Sequence, residues 1–169
     1  MSKIFNKKFI LFLTVFFALV VMVLNADKIL GREKSVLFLC VHNSFRSQMA
    51  EAYFNKFAQE QGINWRAMSA GFLPAEKVNE KAILLMKEEG IDISDKKPKT
   101  LDEKMLRSAD KIVVVCKECE EEGLCLVLPK DKDIEYWRFE NPAKMELNEA
   151  REIRDKIKEK VLNLIDNLN

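Results

Sequence analysis

Two short apolar runs constrain this chain more than anything else in it. Ser35-Val-Leu-Phe-Leu-Cys40 and Lys111-Ile-Val-Val-Val-Cys116 show no polar alternation, so each is suited to cover on both faces, as in a buried parallel strand. Parallel strands need crossovers, and the intervening sequence supplies helical periodicity. From Ser44, residues Met49, Ala50, Tyr53, Phe54 and Phe57 recur at three- and four-residue spacing until Gly62 stops the pattern. Trp65–Ser69 predicts a second strand, closed by Ala70-Gly71. Asn79–Glu89 predicts a helix with Gly90 after its end, residues 91–98 a polar loop, and Leu101–Arg107 a short helix. Leu124–Leu128 predicts another strand, stopped by Pro129. Leu147, Ala150, Ile153, Ile157, Val161, Leu164 and Leu168 mark a long amphipathic helix. Strands alternating with helices predict a doubly wound α/β domain, whose ligands bind beyond the carboxyl ends of the strands. Cys40 and Cys116 each end a strand, which predicts two thiols at one sheet edge.

The remaining sequence sets the organisation. Phe9–Leu24 runs sixteen residues without a charge, after Lys3, Lys7 and Lys8. That pattern predicts an N-terminal hydrophobic helix over residues 1–30, acting as a membrane anchor through residues 9–24 or as an export signal. The lysines favour the cytoplasmic side for their own end and an extracytoplasmic side for the domain over residues 35–169. Secretion after cleavage and the cytoplasmic face are the alternatives. From Ser35 onward there are 22 basic and 25 acidic side chains. A chain without a basic excess is not expected to bind nucleic acid.

The chemistry is concentrated in Cys40-Val-His-Asn-Ser-Phe-Arg46-Ser47, between the first strand and the first helix. A loop of this length can turn its backbone N–H groups of Val41, His42, Asn43, Ser44 and Phe45 toward one centre, and the following helix adds its own N-terminus. Arg46 can grip two oxygens of a tetrahedral anion. Such surroundings favour the nucleophilic thiolate of Cys40, and Ser47 can donate a hydrogen bond to it. Asn43 tolerates the left-handed backbone that tight anion loops need. The plain alternative is a structural thiol at a strand end with Arg46 in solvent. His42 reads as a solvated loop residue.

Three further thiols follow. Cys116 ends a strand, while Cys119 and Cys125 flank a Glu-rich segment with Gly123 that reads as exposed and mobile. Thiol–disulfide relay needs such a segment, because one sulfur must move between two partners. A zinc site with three of its ligands, or a stable structural disulfide, are the alternatives.

VLFLCVHNSFRSQMAE, MSAG, KAILLMKEEGIDIS, VVVC, CLVLP and YWRFENPA, in this order, resemble the thioredoxin-coupled arsenate reductases of the low-molecular-weight protein tyrosine phosphatase superfamily. The resemblance covers Ser35 to Leu168. It implies a four-stranded parallel sheet flanked by helices, with flavodoxin-like winding, in a monomeric domain. It implies reduction of arsenate to arsenite, with thioredoxin as electron donor. Cys40 matches the nucleophile, Cys116 the thiol that attacks Cys40 and releases arsenite, and Cys125 the thiol that takes over the disulfide. Cys119 has no counterpart in that pattern and is an alternative relay thiol. Glu51 and Ser69 match polar positions that brace the anion loop and in some members line a monovalent cation site; no other cofactor and no metal is implied. The family supplies an Asp before Pro as general acid. This chain has Asn141 there, with Glu140 adjacent as the substitute candidate. That departure disfavours the alternative reading, a phosphatase working through a cysteinyl-phosphate, and leaves a third, a tethered protein that binds oxyanions without turnover.

Overall fold

The computed structural model describes residues 9–10, 12–14, 16–17 and 31–168. The chain divides into two compact units, Met1–Glu33 and Lys34–Asn169. In the first, residues 9–10, 12–14 and 16–17 are helical and residues 31–33 are not. The expected membrane anchor and extracytoplasmic placement call for correction: no helix among the described residues is long and apolar enough to cross a membrane. The remainder of the expected segment lies outside the described residues.

The second unit is a four-stranded, fully parallel sheet. Strands β1 (Lys34–Cys40), β2 (Trp65–Gly71), β3 (Lys111–Cys116) and β4 (Ile134–Phe139) lie in the order β2-β1-β3-β4. Helix α1 (Arg46–Gln61) follows β1, then α2 (Glu80–Glu88), α3 (Glu103–Ser108), the short α4 (Glu118–Glu121) and α5 (Leu147–Asp166). The two apolar runs form the central strands β1 and β3, where Val36 to Leu39 and Ile112 to Val115 are fully buried. α1 packs on β1, β2 and α5 through Met49, Ala50, Tyr53, Phe54 and Ala58, the residues of its apolar stripe. Phe38 meets Phe54 on one side and Trp137 on the other, at ring separations of 5.9 and 5.5 Å. Each such buried ring contributes roughly 1.5–3 kcal/mol.

One predicted element is corrected. Leu124–Leu128 is not a strand. Leu124–Val127 is a 3-10 turn, entered through Gly123 at φ 69°, with Leu126 and Val127 projecting into solvent. A disulfide between Cys119 and Cys125, Cα atoms 5.3 Å apart, folds this stretch back on α4. The fourth strand is β4, at the sheet edge.

Chain order places the loop after β1 where the winding reverses, since β1 leads to β2 on one side and lies beside β3 on the other. Such a crevice is the usual ligand position in open α/β sheets.

Candidate active site

The loop from Cys40 to Phe45 is held from outside by its carbonyls. The oxygens of Cys40, Val41, His42 and Ser44 accept from the N–H groups of Phe72, Leu73, Ala75 and Asn79, at 3.3, 2.9, 2.9 and 2.8 Å. Gln48 Nε2 donates to the Asn43 oxygen at 3.1 Å. In a planar trans peptide the N–H points opposite to the C=O. Turning five carbonyls outward therefore turns the N–H groups of residues 41–45 inward. Asn43 makes the sharp turn at φ 47°, and its N–H donates to Cys40 Sγ at 3.0 Å.

A buried polar network stands beneath the sulfur. Ser47 Oγ lies 3.0 Å from Cys40 Sγ. Asn43 Nδ2 donates to Ser47 Oγ at 2.9 Å and to Ser69 Oγ at 2.8 Å. Ser69 donates to Glu51 Oε2 at 2.5 Å, which also accepts from Lys99 Nζ at 3.0 Å, while Lys96 Nζ lies 3.8 Å from Oε1. The Lys99 N–H donates to Asn43 Oδ1 at 2.7 Å. Asn43, Ser47 and Ser69 are fully buried, so each bond is worth more than its surface equivalent.

Arg46 opens α1, whose first turn has no side-chain cap and no acidic residue. The helix N-terminus thus keeps its positive character toward the loop. Arg46 is buried. Its Nη1 donates to Glu118 Oε2 and to the Phe139 carbonyl, both at 2.7 Å. Its Nε is buried with no hydrogen-bond partner among the described residues. An unpartnered buried donor costs about 1–3 kcal/mol.

Val41 and Phe45 are buried and Ser44 half-buried, while His42 is exposed with Nδ1 3.0 Å from the Leu73 carbonyl. Cys40 and Cys116 are free, buried thiols at the ends of neighbouring strands. Burial, then the negative charge of Cys40, pushes the Cys116 thiol up to about 11. The structure joins Cys125 to Cys119, not to Cys116; Cys116 is fixed in the core by β3, whereas Cys119 lies on the short helix that the 3-10 turn folds against. The three thiols thus do not stand together as zinc ligands, and no group of three or more His, Cys, Asp or Glu among the described residues could hold a metal ion. Asn141 accepts from the Ala143 N–H at 3.1 Å and caps a 3-10 turn over Pro142–Lys144. Glu140 is exposed and paired with Lys117 Nζ at 3.2 Å.

Four participants carried no clear sequence signal. Gln48 braces the loop from α1. Gly71 ends β2, where an added Cβ would stand 2.7 Å from the Val41 oxygen and 2.9 Å from the Asn43 nitrogen. Lys99 reaches the site from a distant loop and Glu118 from the start of α4; only Gly71, beside Ala70 at a strand end, hints at close backbone approach.

Residues 35–169 match the low molecular weight phosphotyrosine protein phosphatase family. The chain belongs to that family. Within it, the chain is 38% identical to arsenate reductase 2 of Staphylococcus saprophyticus over 135 residues, 80% of this chain and 98% of that protein. The crystal structure of arsenate reductase from Archaeoglobus fulgidus superposes with a TM-score of 0.66 at 42% identity, covering 78% of this chain and 98% of the other. A thioredoxin-dependent arsenate reductase of Corynebacterium glutamicum superposes with a TM-score of 0.64 at 28% identity, covering 88% and 68%. The family match begins at residue 35, past the apolar segment, so the relationship lends the membrane placement no support.

Proposed function

We propose that the protein is an arsenate reductase that reduces arsenate to arsenite through a cysteine nucleophile and an intramolecular disulfide relay recycled by thioredoxin. Arsenate sits in the loop of residues 41–45, against Arg46 Nε and the start of α1. Cys40 thiolate attacks arsenic and displaces one oxygen as water, forming an S–As(V) bond. A second thiolate then attacks Cys40 Sγ. The S–As bond breaks, its electron pair stays on arsenic, and arsenite leaves as a Cys40–thiol disulfide forms. A third thiol takes over that disulfide and frees Cys40 as thiolate. A thioredoxin-class dithiol returns the two electrons.

The observation that carries this reading is the Cys119–Cys125 disulfide, on a segment whose Glu118 touches Arg46 while Cys40 remains free. It is the pair such a relay leaves behind. On that ground Cys119 is the second thiol and Cys125 the third. Cys116 suits the second role less, because it is fixed in the core at the end of β3, where burial also raises its thiol. The role anticipated for a monovalent cation falls to Lys99, whose ammonium already meets Glu51. Asn141 has no proton to give a leaving group, and an arsenic-bound hydroxyl needs that help less than an aryl oxygen does, which favours reductase over phosphatase.

The test supplies full-length protein with arsenate, thioredoxin, thioredoxin reductase and NADPH. Arsenate-dependent loss of NADPH is expected, abolished by Cys40→Ser. Hydrolysis of p-nitrophenyl phosphate that survives loss of Cys119 and Cys125, without NADPH loss, would assign a phosphatase instead.

A further inference from the structure

The contact between Arg46 and Glu118 sets a carboxylate against the residue that meets the anion. Glu118 accepts from Arg46 Nη1 through both oxygens, at 2.7 and 3.1 Å. It immediately precedes Cys119, on the short helix closed by the disulfide to Cys125. Two more ion pairs seat the same segment on the end of β4 and the turn beyond it: Lys117 with Glu140 at 3.2 Å and Arg138 with Glu120 at 2.7 Å. Glu118 takes one corner of the guanidinium and leaves Nε without a partner. It offsets the charge that attracts an oxyanion, in a partly buried setting where screening is reduced.

We propose that Glu118 sets how tightly the loop holds an oxyanion, according to the state of the Cys119–Cys125 pair. With the disulfide closed, the carboxylate is held on Arg46 and tetrahedral oxyanions bind weakly. With the pair reduced, the segment is released, Glu118 leaves, and Arg46 serves the anion. The proposal rests on the reductase reading, because it gives the oxidised enzyme, which cannot reduce a second arsenate, a low affinity for one. Glu118 is a positioning residue, acting through Arg46.

The experiment reads anion binding, not arsenate reduction, so its failure is distinct from failure of the reductase reading. Full-length protein carrying Cys40→Ser and Cys116→Ser keeps only one pair of thiols that can join. It is titrated calorimetrically with inorganic phosphate, oxidised and reduced, with Glu118 and with Glu118→Gln. Phosphate is expected to bind about tenfold more tightly to the reduced protein than to the oxidised one, the scale of one charge-assisted contact. Glu118→Gln is expected to recover that tenfold in the oxidised form and to leave the reduced form within about twofold. Equal affinities in the two redox states with Glu118 present, or an oxidised affinity unmoved by Glu118→Gln, overturn the proposal. If serine at position 40 prevents binding, the four-cysteine protein decides. It is oxidised with one equivalent of diamide while phosphate shields Cys40, then desalted. The phosphate concentration that half-protects Cys40 from iodoacetamide must fall with Glu118→Gln; an unchanged value rejects the coupling.

Discussion

Ser47 Oγ and Cys40 Sγ lie 3.0 Å apart, and the neighbours of Ser47 settle which of the two donates. Asn43 Oδ1 accepts from Lys99 N–H and Gln48 Nε2, which fixes the orientation of its amide. Asn43 Nδ2 then donates to both Ser47 and Ser69. Ser69 gives its proton to Glu51. Ser47 has one proton, and sulfur is where it goes. Cys40 thus receives two donors, Ser47 O–H and Asn43 N–H.

Ser47→Ala removes one of those donors without opening the loop. Hydrogen bonds to a charged group contribute about 1.5–3 kcal/mol. Alkylation of Cys40 by iodoacetamide at pH 7 should slow roughly tenfold, with a matching fall in kcat for arsenate. Ser47→Thr should restore most of both. Unchanged alkylation would mean that Ser47 does not hold the thiolate.

Gly71→Ala tests the close approach of β2 to the anion loop. The new methyl would meet the Val41 carbonyl oxygen at 2.7 Å and the Asn43 nitrogen at 2.9 Å, and backbone cannot yield as a flexible side chain does. Overpacking of this kind costs roughly 1–3 kcal/mol. The loss should fall on phosphate and arsenate binding as well as on the melting temperature, because the displaced atoms belong to the loop. Calorimetry with phosphate and thermal melts on the same protein check both.

What the sequence makes legible here is local. β1, β3, α1 and α5 stand out because continuous burial and helical periodicity are written in adjacent residues, and the anion loop is a contiguous run from Cys40 to Ser47. β4 is less visible. Its Ile-Glu-Tyr-Trp-Arg-Phe sequence belongs to a half-covered edge strand, interrupted by Arg138 at φ 56°. The equally apolar Leu124–Leu128 looks like the better strand until a long-range fact intervenes, the bond from Cys125 back to Cys119. Glu118 and Lys99 reach the site from 72 and 48 residues beyond their partners Arg46 and Glu51. No spacing rule links residues that far apart.

Lys99 leads to a prediction about salt. Its ammonium and that of Lys96 face the Glu51 carboxylate at 3.0 and 3.8 Å, where the resemblance anticipates a monovalent cation. Arsenate turnover at equal ionic strength should be the same in potassium and sodium chloride. Lys99→Met removes the nearer charge and should create a preference between the two salts. A strong potassium requirement in the unmodified protein would show that the lysines do not suffice.

Stability should depend on acid through Glu88. This residue ties α2 to α5 by bonds of 2.7 Å to both Arg151 and Arg154. The hydrogen bond from Arg151 leads in holding its carboxyl down from 4.5 to about 2. A carboxyl depressed in the folded state stabilises in full above its unfolded value and loses that contribution as pH falls through the folded one. The melting temperature of Glu88→Gln should therefore lie below that of the unmodified protein at pH 6. The gap should narrow below about pH 4.5 and close near pH 2. A gap independent of pH would place the effect of Glu88 in packing rather than charge.

The relay itself separates Cys116 from Cys119. Burial leads in pushing the Cys116 thiol up, and attack on Cys40 needs the thiolate. Cys116 is also locked into the end of β3, whereas Cys119 lies on a four-residue helix bounded by Gly123. Cys116→Ser should thus leave thioredoxin-coupled turnover within about threefold of normal. Cys119→Ser should lower it by about a hundredfold or more, since the S–As adduct then has only a thiol fixed in the core near it. Mass spectrometry after a single turnover without reductant should find the peptides of Cys119 and Cys125 joined and Cys40 alkylatable. Loss of turnover in Cys116→Ser with retention in Cys119→Ser would return the attack to Cys116 and make the Cys119–Cys125 bond a fixed structural clasp.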